Sequence, residues 1–133
     1  MKLSDNESIT ISIDESVPCL EWIGKKRISS EEFRDSEQKS LQFYLRYKTK
    51  YPRLEWFVDA RNIGVLTPED IQWVIDRILP RFASAGLKKE AFVVPSSAIG
   101  KIIIRNYVSK AGDIIEIKSF DNSEAAKNWL KQQ

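Results

Sequence analysis

No histidine occurs among the 133 residues. Its absence removes the Ser–His and Cys–His dyads and the histidine-containing zinc sites in one step. Cysteine is nearly as scarce. The single thiol, Cys19, can form neither an intrachain disulfide nor a thiolate cluster. It falls in a short apolar run, so inert packing is its expected role. No apolar stretch approaches the roughly 20 residues needed to span a bilayer. The segment from Met1 to Thr10 is polar and acidic, without the basic-then-apolar layout of a secretory signal. A cytoplasmic location is the expectation. Gly/Ser-rich or Pro-rich linkers, fixed-period repeats and low-complexity tracts are missing too. A single domain over residues 1–133 is the simplest reading.

What is present is the balance of a folded chain, with 42% apolar and 30% charged residues. Lysine plus arginine number 21 against 19 acids, a net charge of +2. That is too even to demand nucleic acid or an anionic membrane as partner.

Ile9, Ile11 and Ile13 alternate with polar residues, the period of a half-buried strand. A turn over Asp14 to Pro18 leads to a second strand, Cys19 to Ile23. The connection is too short for a parallel crossover, so the two pair as an antiparallel hairpin. Ser29 to Glu32 spell a capping box. They open a helix to about Lys48, with Phe33, Leu41, Tyr44 and Leu45 facing the core. Leu54 to Val58 reads as an interior strand. Thr67-Pro68-Glu69-Asp70 is a helix start, with Thr67 as N-cap and acids at the positive dipole end. Ile71, Val74, Ile75, Ile78 and Phe82 form its inner stripe. Pro80 predicts a kink, and Gly86 a stop. A strand over Ala91 to Val94, a helix from Ser96-Ser97 to about Ser109, a strand over Ile114 to Phe120 and a helix capped near Asn122 complete the order β-β-α-β-α-β-α-β-α. This order predicts a mostly parallel five-stranded sheet with an antiparallel N-terminal hairpin edge.

The stretch Trp56 to Asp70 contains a strand, an Asp59-Ala60-Arg61-Asn62-Ile63-Gly64 turn and a Thr-Pro-Glu-Asp helix start. With Leu79-Pro80-Arg81, Ala85-Gly86-Leu87-Lys88-Lys89, Phe92-Val93-Val94-Pro95 and the closing Phe120-to-Leu130 segment, it resembles the small bacterial STAS-like proteins of the SpoIIAA-like fold, often labelled STAS/SEC14 domain proteins. The resemblance covers essentially the whole chain and implies a single α/β binding or regulatory domain. In the anti-sigma-factor antagonists of the wider family, the turn after this strand carries an Asp-Ser pair whose serine a kinase phosphorylates. The corresponding positions here hold Thr67 and Pro68. Proline has no hydroxyl and Thr67 is expected to serve as an N-cap, so the phosphoswitch does not carry over.

Ligands of parallel α/β sheets gather beyond the carboxyl ends of the strands. That edge holds Asp59, Arg61, Asn62, Ser96 and Ser97, where backbone amides and hydroxyls could hold an anion. The same residue types also cap helices and make turns. Asp59 and Asp121 are the one carboxylate pair expected near that edge. No nucleophile motif or metal-ligand spacing appears, so neither a cofactor nor an enzymatic role is expected. Arg46 to Arg53 is basic and carries two tyrosines, which could serve nucleic acid. A solvated helix end accounts for it better. Trp73 lies about 160° from Ile71 around the helix, with Arg77 and Pro80 toward the same outer side. Tryptophan is enriched at binding hot spots, so this face is the expected contact for a protein partner or a second copy of the chain. The competing expectation is that another segment folds over Trp73. Trp22, Trp56 and Trp129 fall on patterned faces and are expected to pack internally. An apolar, lipid-like or anionic small ligand in a groove is the alternative to a protein contact, and a small enzyme using strand-end carboxylates is the third.

Overall fold

The computed structural model describes residues 1–95 and 97–132. A mixed six-stranded sheet lies at its centre, in the order β1 (Lys2–Asp5), β2 (Ile9–Asp14), β3 (Cys19–Gly24), β4 (Glu55–Asp59), β5 (Lys89–Val93) and β6 (Glu116–Phe120). β1, β2 and β3 pair antiparallel, and β3 to β6 run parallel. The expected five strands become six because Lys2-Leu3-Ser4-Asp5 adds an edge strand. Its pattern is almost wholly polar, and only backbone pairing to β2 and the edge position reveal it.

Helix α1 (Ser30–Tyr47) starts at the capping box. Ser29 accepts from the Glu32 amide, and the Glu32 side chain answers to the Ser29 amide. Helix α2 is composite. It runs as Pro68–Trp73, passes through a π-helical turn at Val74–Ile78 and ends as Leu79–Ser84. Pro80 lacks an N–H and would clash with a regular preceding turn. The expected disturbance takes the form of this π turn, in which the Leu79 amide donates to the Val74 carbonyl. Gly86, at φ 111°, ends the helix as expected. Helix α3 (Ala98–Ala111) is capped by Ser97, and helix α4 (Ser123–Lys131) by Asn122.

The parallel strands are added in chain order, so right-handed crossovers put α1, α2 and α3 on one face. The main core lies there. Ile9, Ile11, Ile13, Trp22, Trp56 and Phe92 meet Phe33, Leu41, Tyr44, Ile78, Phe82 and Tyr107. Trp56 stacks on Phe82 at 4.2 Å between ring centroids. The smaller core on the other face joins Cys19, Phe57, Ala91 and Val93 to Ala126 and Leu130 of α4. Trp22 and Trp56 are fully buried, and Trp129 packs half-buried against Phe120, as patterned. Leu45 departs from expectation: it is 45% exposed and turned out of the core.

Candidate functional site

At the carboxyl end of β4, Asp59 is buried and holds Arg61 in a two-point fork. Arg61 Nη2 donates to Oδ2 at 2.7 Å, and Arg61 Nε and its backbone N–H donate to Oδ1 at 3.0 and 3.2 Å. The guanidinium therefore already has its carboxylate. Asn62 is exposed beside it. Thr67 Oγ1 accepts from the Asp70 amide at 3.1 Å, and Ser97 Oγ from the Gly100 amide at 3.1 Å. Both hydroxyls act as helix caps. Ser96, placed in the same cluster by the sequence, lies outside the described residues. The β4–α2 loop and α3 do meet here, but their facing groups are apolar. Ile63, Leu66, Pro95, Ile103 and Ile104 enclose a gap of about 10 Å³.

A larger feature lies between α1 and α2. Gln38, Leu41, Gln42 and Leu45 face Trp73, Arg77, Ile78 and Arg81 across an open groove of about 760 Å³. Trp73 and Arg77 thus share one surface, whereas half-buried Pro80 lies outside the lining. Trp73 combines the two expectations for it. It is half-buried against the main core, and its ring also lies 5.0 Å beneath the Arg34 guanidinium. Arg34 Nε is held in turn by buried Asp70 at 2.8 Å, and Ser30 Oγ donates to the same Asp70 oxygen at 2.7 Å. Burial pushes the Asp70 carboxyl upward, but these hydrogen bonds outweigh it and hold the group below the usual carboxylate range. Among the described residues, exposed Arg77 and Arg81 form no ion pair, and the groove lining contains no acid. Arg81, Gln38 and Gln42 were not among the expected site residues, and Leu45 was expected in the core. The four-residue spacing from Trp73 through Arg77 to Arg81 carried the signal.

The sequence reading also passed over two acids inside the main core. Glu37 of α1 is 4% exposed and Glu90 of β5 is 1% exposed. Both line a small, mostly apolar pocket of about 20 Å³, along with Trp22, Phe33, Trp56 and Tyr107. Tyr107 Oη donates to Glu90 Oε1 at 2.7 Å. Among the described residues, Glu37 Oε2 and Trp56 Nε1 have no hydrogen-bond partner, whereas Trp22 Nε1 donates to Ser36 at 2.9 Å. Burial pushes the Glu90 carboxyl up to about 8, opposed only by the Tyr107 hydrogen bond. Burial, with Glu90 nearby, raises Glu37 well above its ordinary value. Glu90 therefore keeps its proton at neutral pH, and burial favours the neutral form of Glu37 as well. The cavity has room for one water with an unpaired donor and acceptor on its wall. A lipid-like molecule finds no such room there.

The basic stretch from Arg46 to Arg53 packs its cations on nearby tyrosines. Cations of Arg46, Lys48 and Lys50 lie within 6 Å of the Tyr47, Tyr44 and Tyr51 rings, at 5.7, 5.5 and 5.5 Å. Tyr51 Oη also donates to Glu15 at 2.8 Å. Cys19 is completely buried, and burial drives its thiol pKa far up. No helix among the described residues is long and apolar enough to cross a membrane. In comparison with known proteins, no family model matches the chain, and no curated protein or solved structure matches it significantly.

Proposed function

We propose that the chain is a non-enzymatic, STAS-like binding module that acts through protein contacts made in the groove between α1 and α2. The observation that carries this reading is the groove's composition. It has an apolar floor of Leu41 and Ile78, a half-buried tryptophan at one end, and two arginines without ion pairs on one wall. Such a surface suits an acidic partner segment that presents one or two apolar side chains. The aromatic anchor supplies affinity and the charges select the partner. The parallel strands added in chain order, with three helices on one face, support the SpoIIAA-like part of the reading. A phosphoswitch is not part of it, because the Thr67 hydroxyl is engaged as an N-cap.

The test uses an array of short peptides graded in acidity and apolar content, probed with the intact protein. Peptides that are both acidic and apolar should be retained, with dissociation constants weakened at least tenfold by Arg77→Glu plus Arg81→Glu. Both arginines are exposed, so the variant should keep the wild-type thermal melt. Retention that ignores peptide charge, or survives the double reversal unchanged, overturns the groove as the contact site.

A further inference from the structure

Few large apolar side chains are left in solvent among the described residues: Met1, Leu45, Val65, Ile99 and Ile102. Leu45 belongs to the α1–α2 groove and Met1 precedes the edge strand. The other three lie on two segments that pack against each other. Val65 lies on the β4–α2 loop, between Gly64 and Leu66, which press against Gly100, Ile103 and Ile104 at the start of α3. Ile99 and Ile102 sit on the outer side of those same turns. Their exposures are high, at 60% for Val65, 62% for Ile99 and 51% for Ile102. A β-branched side chain on an open helix face gains no burial and lowers helix propensity.

Cations lie beside the same turns. Between Glu90 and Asp113 there is no acidic residue, and Lys101 and Arg105, in the first half of α3, are both exposed. Neither forms an ion pair with a described residue. The exposed Arg27 side chain lies against Gly64, next to Val65. The Gly64 backbone, at φ 83°, turns the loop at this point.

We propose that this end of the domain docks on an anionic lipid surface. Val65, Ile99 and Ile102 would enter the headgroup boundary while Arg27, Lys101 and Arg105 meet lipid phosphates. A protein partner is the weaker fit. Beneath the patch lies a gap of only about 10 Å³, so the surface has no seat for an inserted side chain. Exposed apolar tips with cations beside them match an interfacial contact instead. The proposal is independent of the α1–α2 groove, with which it shares no residue.

Co-sedimentation with large unilamellar vesicles tests it. At low ionic strength the protein should partition onto vesicles of phosphatidylcholine mixed with phosphatidylglycerol, and far less onto phosphatidylcholine alone. Added salt should release it. Lys101→Glu and Arg105→Glu should each weaken partitioning by at least about fivefold, the factor for one cation at such a surface. Ile99→Ser plus Ile102→Ser should abolish it. All four positions are exposed, and circular dichroism melts should confirm that each variant folds. Equal binding to both vesicle types, or binding that survives these changes, overturns the proposal. So does equal loss on Arg77→Glu plus Arg81→Glu, which would mark unspecific attraction of a cationic protein. A dimer that Ile102→Ser dissolves, without vesicle binding, would assign the patch to a second copy of the chain and refute the lipid reading.

Discussion

Replacing Glu90 with glutamine should remove one large part of the fall in stability with pH between 5 and 8. Folded Glu90 keeps its proton up to about pH 8, whereas an ordinary glutamate releases it near 4.5. Across that window the folded state therefore binds more protons than the unfolded state. Stability is complete below the lower value and declines as pH rises toward the upper one. The slope from one such group is about 1.4 kcal/mol per pH unit, so the wild type loses roughly 3 kcal/mol from this residue between pH 5 and pH 7. Glu90→Gln keeps an acceptor for Tyr107 and removes the titration. Glu37 pushes in the same direction but is present in both chains. Asp14, held down to about 2 by Lys127 and Ser16 against its own burial, titrates below the window. The assay is urea unfolding followed by tryptophan fluorescence at pH 5, 6, 7 and 8. With an m-value of about 1–3 kcal/mol/M, the midpoint of the variant should move ahead of the wild type by roughly 1–3 M between pH 5 and pH 7. A gap that stays constant with pH would refute the claim that Glu90 is folded as a neutral acid.

Three further outcomes follow from packing. Gly24→Ala should destabilise by about 1–3 kcal/mol in the same assay, because a Cβ there would clash with the buried Ile63 Cγ2; an unchanged midpoint would mean that the Ile63 loop yields freely. The Cys19 thiol should react with a disulfide reagent only as fast as the protein unfolds, since burial leaves it inaccessible and un-ionised; prompt stoichiometric labelling in native buffer would refute that. Asp70→Ala should lower stability by about 1–3 kcal/mol by stranding Ser30 and freeing half-exposed Arg34, as read from thermal melts. A melt equal to wild type would show that the Asp70 contacts do not hold α1 to α2.

Elements with periodicity or capping chemistry could be read directly in the sequence. The Ser29–Glu32 box, the Thr67 cap, the inner stripe of α2 and the Ile9–Ile13 alternation all lie where their patterns put them. β1 escaped because an edge strand of mixed polarity needs no apolar face. Leu45 misled because it lies one position beyond Tyr44, past the rim of the buried stripe. The buried acids were legible in part. Glu37 stands between Phe33 and Leu41 at helical spacing, and Glu90 shares the face of Phe92 at strand spacing. Charge alone argues for the surface, and only the closed layer of three helices shows that both face inward. The groove needed α1 and α2 side by side, which no local pattern supplies.

The ammonium of Lys127 joins α4 to Asp14 at 2.8 Å and to Glu21 at 3.1 Å, residues from the far end of the chain. Among the described residues, that helix supplies most of the cover of the second core, with Val17 of the β2–β3 connection beside it. Synthesis must therefore pass residue 123 before Phe57, Ala91 and Val93 can leave water. Until then the nascent chain is a one-sided sheet whose uncovered face is adhesive. A ribosome stalled before that point would release a species prone to aggregate, even though the entire groove between α1 and α2 had already been made.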